Sequence, residues 1–181
     1  MNKQSDSPPG TPVAEANDWI KAAMAEHEGA LLRYANHFVH DFDTARDIVQ
    51  DTFLKLCRQD EDEMRPKLVK WLFTVCRNRA IDIKRKESRM KPSPDYQLEE
   101  RPDASPDAQG QLAQKEAAAG LLQHVASLPD RQQEILRLKF NGGLSYRQIA
   151  EVTGLTVTNV GVILHTAIGK LRKQMVDFNS A

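Results

Sequence analysis

Three features of the sequence predict an all-α protein made of two small helical domains joined by a flexible linker. Apolar residues recur at helical spacing on both sides of a Pro-rich interruption, and no segment alternates with the period of two expected of a sheet. Residues 17–89 contain no Gly or Pro except Gly29 and Pro66, so little there opposes helix. Residues 90–110 hold four prolines and no apolar stripe, which marks an extended connection. The expected organisation is therefore a disordered leader at 1–16, a helical domain at 17–89, a linker at 90–111 and a second helical domain at 112–178, with the leader's clearest part the polar run MNKQSDSPPGTP.

In the first domain, Leu31, Leu32, Ala35, Phe38 and Val39 define one helix, and Ile48, Val49, Phe53 and Leu56 define the next. Asp43 or Thr44 is the expected cap of that second helix, with Asp47 in its first turn. The charged run DEDEMRP breaks the pattern. A third helix follows through Trp71, Leu72, Val75, Cys76, Ala80 and Ile83 and ends strongly basic.

The second domain carries the sharpest local signal, LSYRQIAEVTGLTVTNVGVILHTAIGKLRKQ. Ser145 and Gln148 have capping-box spacing. The helix 146–152 buries Ile149 and Ala150, with Tyr146 a further candidate. Gly154 permits a left-handed turn, Leu155 packs inward, and Thr156 caps a helix running to Met175. On that helix Val160, Leu164, Ala167 and Leu171 share an apolar face. A short helix, a tight turn and a longer helix make a helix-turn-helix, whose second helix would present Thr158, Asn159, Val162 and His165 to the major groove. A plain helical hairpin fits the same spacing, and His165 fits a solvated helix position as well as a base contact.

Composition excludes some classes. The 25 basic and 25 acidic residues cancel, so net charge alone does not indicate a nucleic acid partner. The charges are segregated, however: residues 121–181 hold seven basic and four acidic side chains, and residues 90–120 hold three and six. Cys57 and Cys76 lack metal-ligand spacing and sit in apolar segments, so both are expected to be buried free thiols. The sequence contains no catalytic dyad, metal cluster or phosphate-cradling loop, so no enzyme activity, metal or cofactor is expected. A polar N-terminus and the lack of any stretch long enough to cross a bilayer point to a cytoplasmic protein with no membrane insertion.

Two further groupings bear on function. Asp47, Gln50 and Asp51 lie at i, i+3, i+4 and form a short acidic and amide face suited to a basic protein surface, although ordinary solvation accounts for the same face. In WLFTVCRNRAIDIKRKESR, the cations Arg77, Arg79, Lys84, Arg85, Lys86 and Arg89 crowd the polar side, with Asn78 and Asp82 one turn apart. Cations beside forked polar groups suit single-stranded DNA, where the cations hold phosphates and the forked groups reach base edges. A solvated helix end is the alternative for the basic run, and Trp71 fits a core anchor as well as a stacking platform.

Taken in order, DTARDIVQDTFLKL, WLFTVCRNRAIDIKRK, LPDRQQEILRLKF and YRQIAEVTGLTVTNVGVILHTAIGKLR resemble the sigma-70 family in its two-domain, extracytoplasmic-function form, over about residues 20–89 and 112–175. The resemblance implies a transcription initiation factor that binds core RNA polymerase through Asp47, Gln50 and Asp51. It implies that Arg77, Asn78, Asp82 and Arg85 capture the melted minus-ten strand, and that Thr158, Asn159, Gly161, Val162 and His165 face the minus-thirty-five duplex. Helix 130–140 would lie on the polymerase flap, and the linker, with Glu99 and Glu100, near the RNA exit path. An anti-sigma factor is an expected partner, and the factor would be a monomer when bound to polymerase. One departure stands out. The family commonly places Lys or Arg along the recognition helix, but here cations appear only at Lys170, Arg172 and Lys173, and Val162–Ile163 reads as an exposed apolar pair. That departure leaves open a sigma-like protein that binds polymerase or an anti-sigma partner without conventional promoter recognition. A dimeric operator-binding regulator is a third reading, which leaves the 71–89 segment unused.

Overall fold

The computed structural model describes residues 13–90 and 122–179, and all the regular elements among them are helices. The expected leader and linker lie outside the described residues, apart from 13–16, which open the first helix, and Met90, which ends α4. The first helical cluster comprises α1 (Val13–Val39), α2 (Phe42–Leu56), α3 (Glu61–Met64) and α4 (Leu68–Met90). The second comprises α5 (122–126), α6 (Asp130–Phe140), α7 (Tyr146–Thr153) and α8 (Val157–Asn179).

Local chemistry sets the boundaries. Between α1 and α2 the chain reverses in two residues. His40 takes a left-handed conformation at φ 52°, and Asp41 caps α2 by accepting from Thr44 N at 2.8 Å. The cap is thus Asp41 rather than Asp43 or Thr44, because the extended backbone needed at that position occurs one step after the reversal. The Thr44 hydroxyl and amide together hold the Asp41 carboxyl below its usual range. The DEDEMRP run, expected to break the helical pattern, follows the turn after α2 and is not irregular. Asp60 caps α3, three acids occupy its first turn, and a 3₁₀ turn (Arg65–Lys67) containing Pro66 leads into α4.

Leu31, Tyr34, Ile48, Leu56, Leu72 and Phe73 form the centre of the first cluster, and Ile135, Leu138, Leu144, Ile149 and Leu164 that of the second. The few aromatics among them cross edge to face, with the Tyr34 ring 5.1 Å from Phe73 and 5.2 Å from Phe38. The two cores are continuous. Cys76 is buried, and burial pushes its thiol up to about 12. Cys57, expected to be buried, is exposed, because α2 ends at Leu56 and Cys57 falls in the turn beyond it.

The second cluster follows the predicted helix-turn-helix closely. Ser145 and Gln148 form the reciprocal capping box, at 3.2 and 2.9 Å. Gly154 ends α7 at φ 73°, and Thr156 Oγ1 accepts from Asn159 N at 3.2 Å to start α8. The chain bends by 105° between α7 and α8, within the range of such motifs. Tyr146 is 42% exposed and so is not a core residue. Its ring lies over Gly161 instead, with a Lys139 ammonium 5.6 Å from its centroid. Upstream, Gln133 donates to the carbonyls of Ala126 and Leu128, tying the end of α5 to α6.

Candidate nucleic-acid interface

Some of the side chains expected to contact polymerase and the melted strand meet between α2 and α4. On α2, Asp47 and Gln50 are exposed and Asp51 is half-buried, its Oδ2 3.4 Å from Arg79 Nε of α4. This pairing makes Asp51 a wall of an open groove shared with Lys55, Asn78, Arg79 and Asp82. Asp82 also borders a second open groove with Arg85, Lys86 and Arg89. Asn78, Asp82 and Arg85 are exposed on α4. Asp51 of the acidic face and Asn78 and Asp82 of the expected strand-binding set are therefore neighbours across one α2–α4 groove, whereas Asp47, Gln50, Arg77 and Arg85 do not line it.

Arg77 is placed differently from the other cations of the basic run. Its side chain is only 15% exposed, and its Nε lies 2.6 Å from Glu134 Oε1 of α6. Glu134 is itself buried. It also accepts from the Tyr34 hydroxyl at 3.3 Å and from Arg131 at 3.1 Å. Burial, reinforced by the Glu134 charge, pushes the Tyr34 phenol well above its ordinary value, so Tyr34 acts as a fixed donor. Two more ion pairs join the clusters: Lys70 Nζ to Glu151 Oε2 at 2.6 Å and Lys84 Nζ to Asp130 Oδ2 at 4.0 Å. Hydrogen bonding and charge from Lys70 hold the Glu151 carboxyl below its usual range. Beside this seam, burial and then the Arg137 guanidinium lower His37 to about 4, so the imidazole is neutral near pH 7.

On α8, Thr158, Asn159, Val162 and His165 are exposed, as expected of a reading face, and Gly161 is half-buried under Tyr146. Ile163 is half-buried against the core, so the exposed apolar pair reduces to Val162. Residues 157–169 carry no Lys or Arg. Among the described residues, no group of three or more His, Cys, Asp or Glu is placed to hold a metal ion. No single described helix is long and apolar enough to cross a membrane.

The sequence reading missed Tyr34, Glu134 and Glu151. Each looks like an ordinary helix residue, and their significance comes from partners 57 to 100 positions away.

Comparison with known proteins agrees with this architecture. Residues 23–90 match the Sigma-70 region 2 model, and residues 120–171 match the Sigma-70 region 4 model. The chain is 31% identical over 167 residues to the ECF RNA polymerase sigma factor SigL of Mycobacterium tuberculosis, covering 90% of this chain and 92% of the relative. It is 28% identical over 182 residues to the ECF RNA polymerase sigma factor RpoE of Cereibacter sphaeroides, covering 91% of this chain and 99% of the relative. Two solved structures share the fold. The sigma factor RpoE in complex with the anti-sigma factor NepR from Bartonella quintana superposes with TM-score 0.58 at 20% identity, over 90% of this chain and 98% of that one. CnrH in complex with the cytosolic domain of CnrY gives TM-score 0.57 at 23% identity, over 91% and 94%.

The chain belongs to the sigma-70 family, in its two-domain extracytoplasmic-function form. Its general role is that of a sigma factor, and sigma factors are regulatory proteins that are not themselves enzymes.

Proposed function

We propose that this chain binds core RNA polymerase through Asp47, Gln50 and Asp51, directs it to specific promoters, and helps melt the minus-ten region by holding the unstacked strand on Arg77, Asn78, Asp82 and Arg85. The observation that carries the reading is the shared α2–α4 groove. It sets Asp51 beside Asn78 and Asp82, so a polymerase contact on α2 delivers the strand to α4. Cations along α4 bind phosphates while Asn78 and Asp82 reach base edges, offsetting part of the unstacking cost. The face of α8 that bears the exposed Thr158, Asn159, Val162 and His165, with the half-buried Gly161 among them, meets the minus-thirty-five duplex in this reading. The factor acts as a monomer on polymerase. An anti-sigma partner is part of the proposal, supported by the NepR complex of a structural relative.

A second reading, a sigma-like protein that engages polymerase or an anti-sigma partner without conventional promoter recognition, is favoured by the uncharged stretch 157–169 of α8. Selection of initiating promoters from a random library by core polymerase plus this protein separates the two. The first reading predicts a shared minus-ten and minus-thirty-five sequence among the survivors. Core binding without initiation from any library member would contradict it.

A further inference from the structure

The stretch 157–169 of α8 has a restricted chemistry: it holds no Lys, Arg, Asp or Glu. In the major groove each base takes a different partner. Guanine takes the paired donors of Arg or Lys, cytosine a carboxylate, adenine the carboxamide of Asn or Gln, and thymine an apolar contact with its methyl group. The first two partners are missing from this stretch. The last two are present as Asn159 and Val162, three residues apart and so on one face of the helix. His165, a further three residues on, adds a single ring donor and not the fork that guanine takes.

The structure sets both side chains outward. Val162 is 58% exposed, whereas Val160 and Leu164, two residues before and after it, are buried. Asn159 is exposed too, and its backbone N–H is the group held by the Thr156 cap, which leaves the carboxamide outside the cap. The first turn of the second helix is where a helix-turn-helix meets base edges. Along the helix axis Asn159 and Val162 are about 4.5 Å apart, against about 3.4 Å between base pairs, so they fall on neighbouring steps of a duplex. Cations flank the uncharged stretch. Lys139 lies over the Tyr146 ring that covers Gly161, and Lys170, Arg172 and Lys173 are exposed beyond its far end. That arrangement suits a base contact with phosphate contacts on either side.

We infer that α8 is selective for A·T pairs. The Asn159 carboxamide accepts from N6 and donates to N7 of an adenine, and Val162 packs on the C5 methyl of a thymine at a neighbouring step. The ligand is then a duplex with A·T at both steps and no guanine requirement at either. The inference rests on the duplex contact proposed above for α8 and deepens it from a contact to a base preference.

The test uses holoenzyme assembled from the full chain and core polymerase, with duplexes randomised in the minus-thirty-five region and recovered by retention on the complex rather than by transcript. The retained duplexes are expected to share A·T at two neighbouring steps. On one such duplex, deoxyuridine in place of the thymine removes only the methyl group and is expected to weaken binding about threefold to fourfold. Val162→Ala is expected to weaken binding to the thymine duplex by a similar factor and to be indifferent to the replacement. Replacing the adenine by 7-deazaadenine, which lacks the N7 acceptor, is expected to weaken wild-type binding about tenfold and to leave Asn159→Ala unaffected. The base analogues do not alter the protein, so their effects are independent of its folding. Equal binding to the thymine and deoxyuridine duplexes, a deoxyuridine effect that persists in Val162→Ala, or retained duplexes with no shared upstream sequence would overturn the inference. A guanine required at either step would overturn it while leaving the duplex contact standing. Retained duplexes that show the A·T preference but yield no transcript would count against the proposed function and support the preference.

Discussion

Arg77 Nε lies 2.6 Å from Glu134 Oε1, and this contact joins the helix expected to hold melted DNA to α6, the helix that precedes the helix-turn-helix. Removing one member of such a pair strands the other. Glu134→Ala is expected to lower the stability of the whole chain by about 3 kcal/mol in urea unfolding, and the Arg77→Ala, Glu134→Ala cycle to give a coupling of about 1–3 kcal/mol. A coupling near zero would mean that the pair is not formed in solution.

His37 makes the same seam sensitive to acid. Its pKa is lowered to about 4 by burial, with Arg137 opposing its charge, Asp130 and Glu134 of α6 partly favouring it, and His40 nearby on its own segment. Between pH 4 and 6.5 the unfolded chain binds the extra proton and the folded chain does not, so stability falls as pH falls through that window. The loss is expected to reach on the order of 2–3 kcal/mol by pH 4. His37→Gln should flatten the difference in urea midpoint between pH 7 and pH 4.5, and an unchanged pH profile in that variant would contradict the assignment.

Two glycines are required for different reasons. At Gly154, φ 73° is a left-handed conformation, so Gly154→Ala is expected to destabilise by about 1–2 kcal/mol with nothing crowded around its Cβ. At Gly142 the added Cβ meets Phe73 at 3.0 Å and the Leu138 carbonyl at 2.9 Å, so Gly142→Ala is expected to destabilise by about 1–3 kcal/mol through overpacking. Thermal unfolding measures both. Only the Gly142 variant should also loosen the contact between the clusters, seen as faster amide exchange around Phe73.

The reading face of α8 is short of cations. If Val162 faces promoter DNA, Val162→Arg adds a phosphate contact, strengthening holoenzyme binding at low salt and steepening the slope of log K against log salt by about 0.9. A slope identical to wild type would place Val162 off the DNA.

The sequence disclosed what neighbouring residues decide. Ser145 with Gln148, Gly154 and Thr156 were legible because caps and turns are made within four residues of chain, and Val160, Leu164 and Ala167 because helical period follows from spacing. Asp41 was overlooked as a cap because the left-handed His40 that precedes it leaves no residue-type signal. Cys57 and Tyr146 were misjudged because each lies at an element boundary, where one step of rotation exchanges core for solvent. Asn78, Asp82 and Arg85, proposed to hold the strand, stand out in the sequence because forked polar groups one turn apart share a helix with a run of cations. The withdrawal of Arg77 into an ion pair with a residue 57 positions away could not, because a lone Glu in DRQQEILRLKF looks like a solvated helix position.

The most direct test of the central claim, that α4 captures the melted strand for polymerase, is permanganate footprinting of holoenzyme on a selected promoter with Asn78→Ala and Arg85→Ala combined. Both side chains are exposed, so the fold should persist. The account predicts that core binding and closed complexes remain while reactive minus-ten thymines fall at least tenfold. Minus-ten reactivity and transcript yield equal to wild type would contradict it.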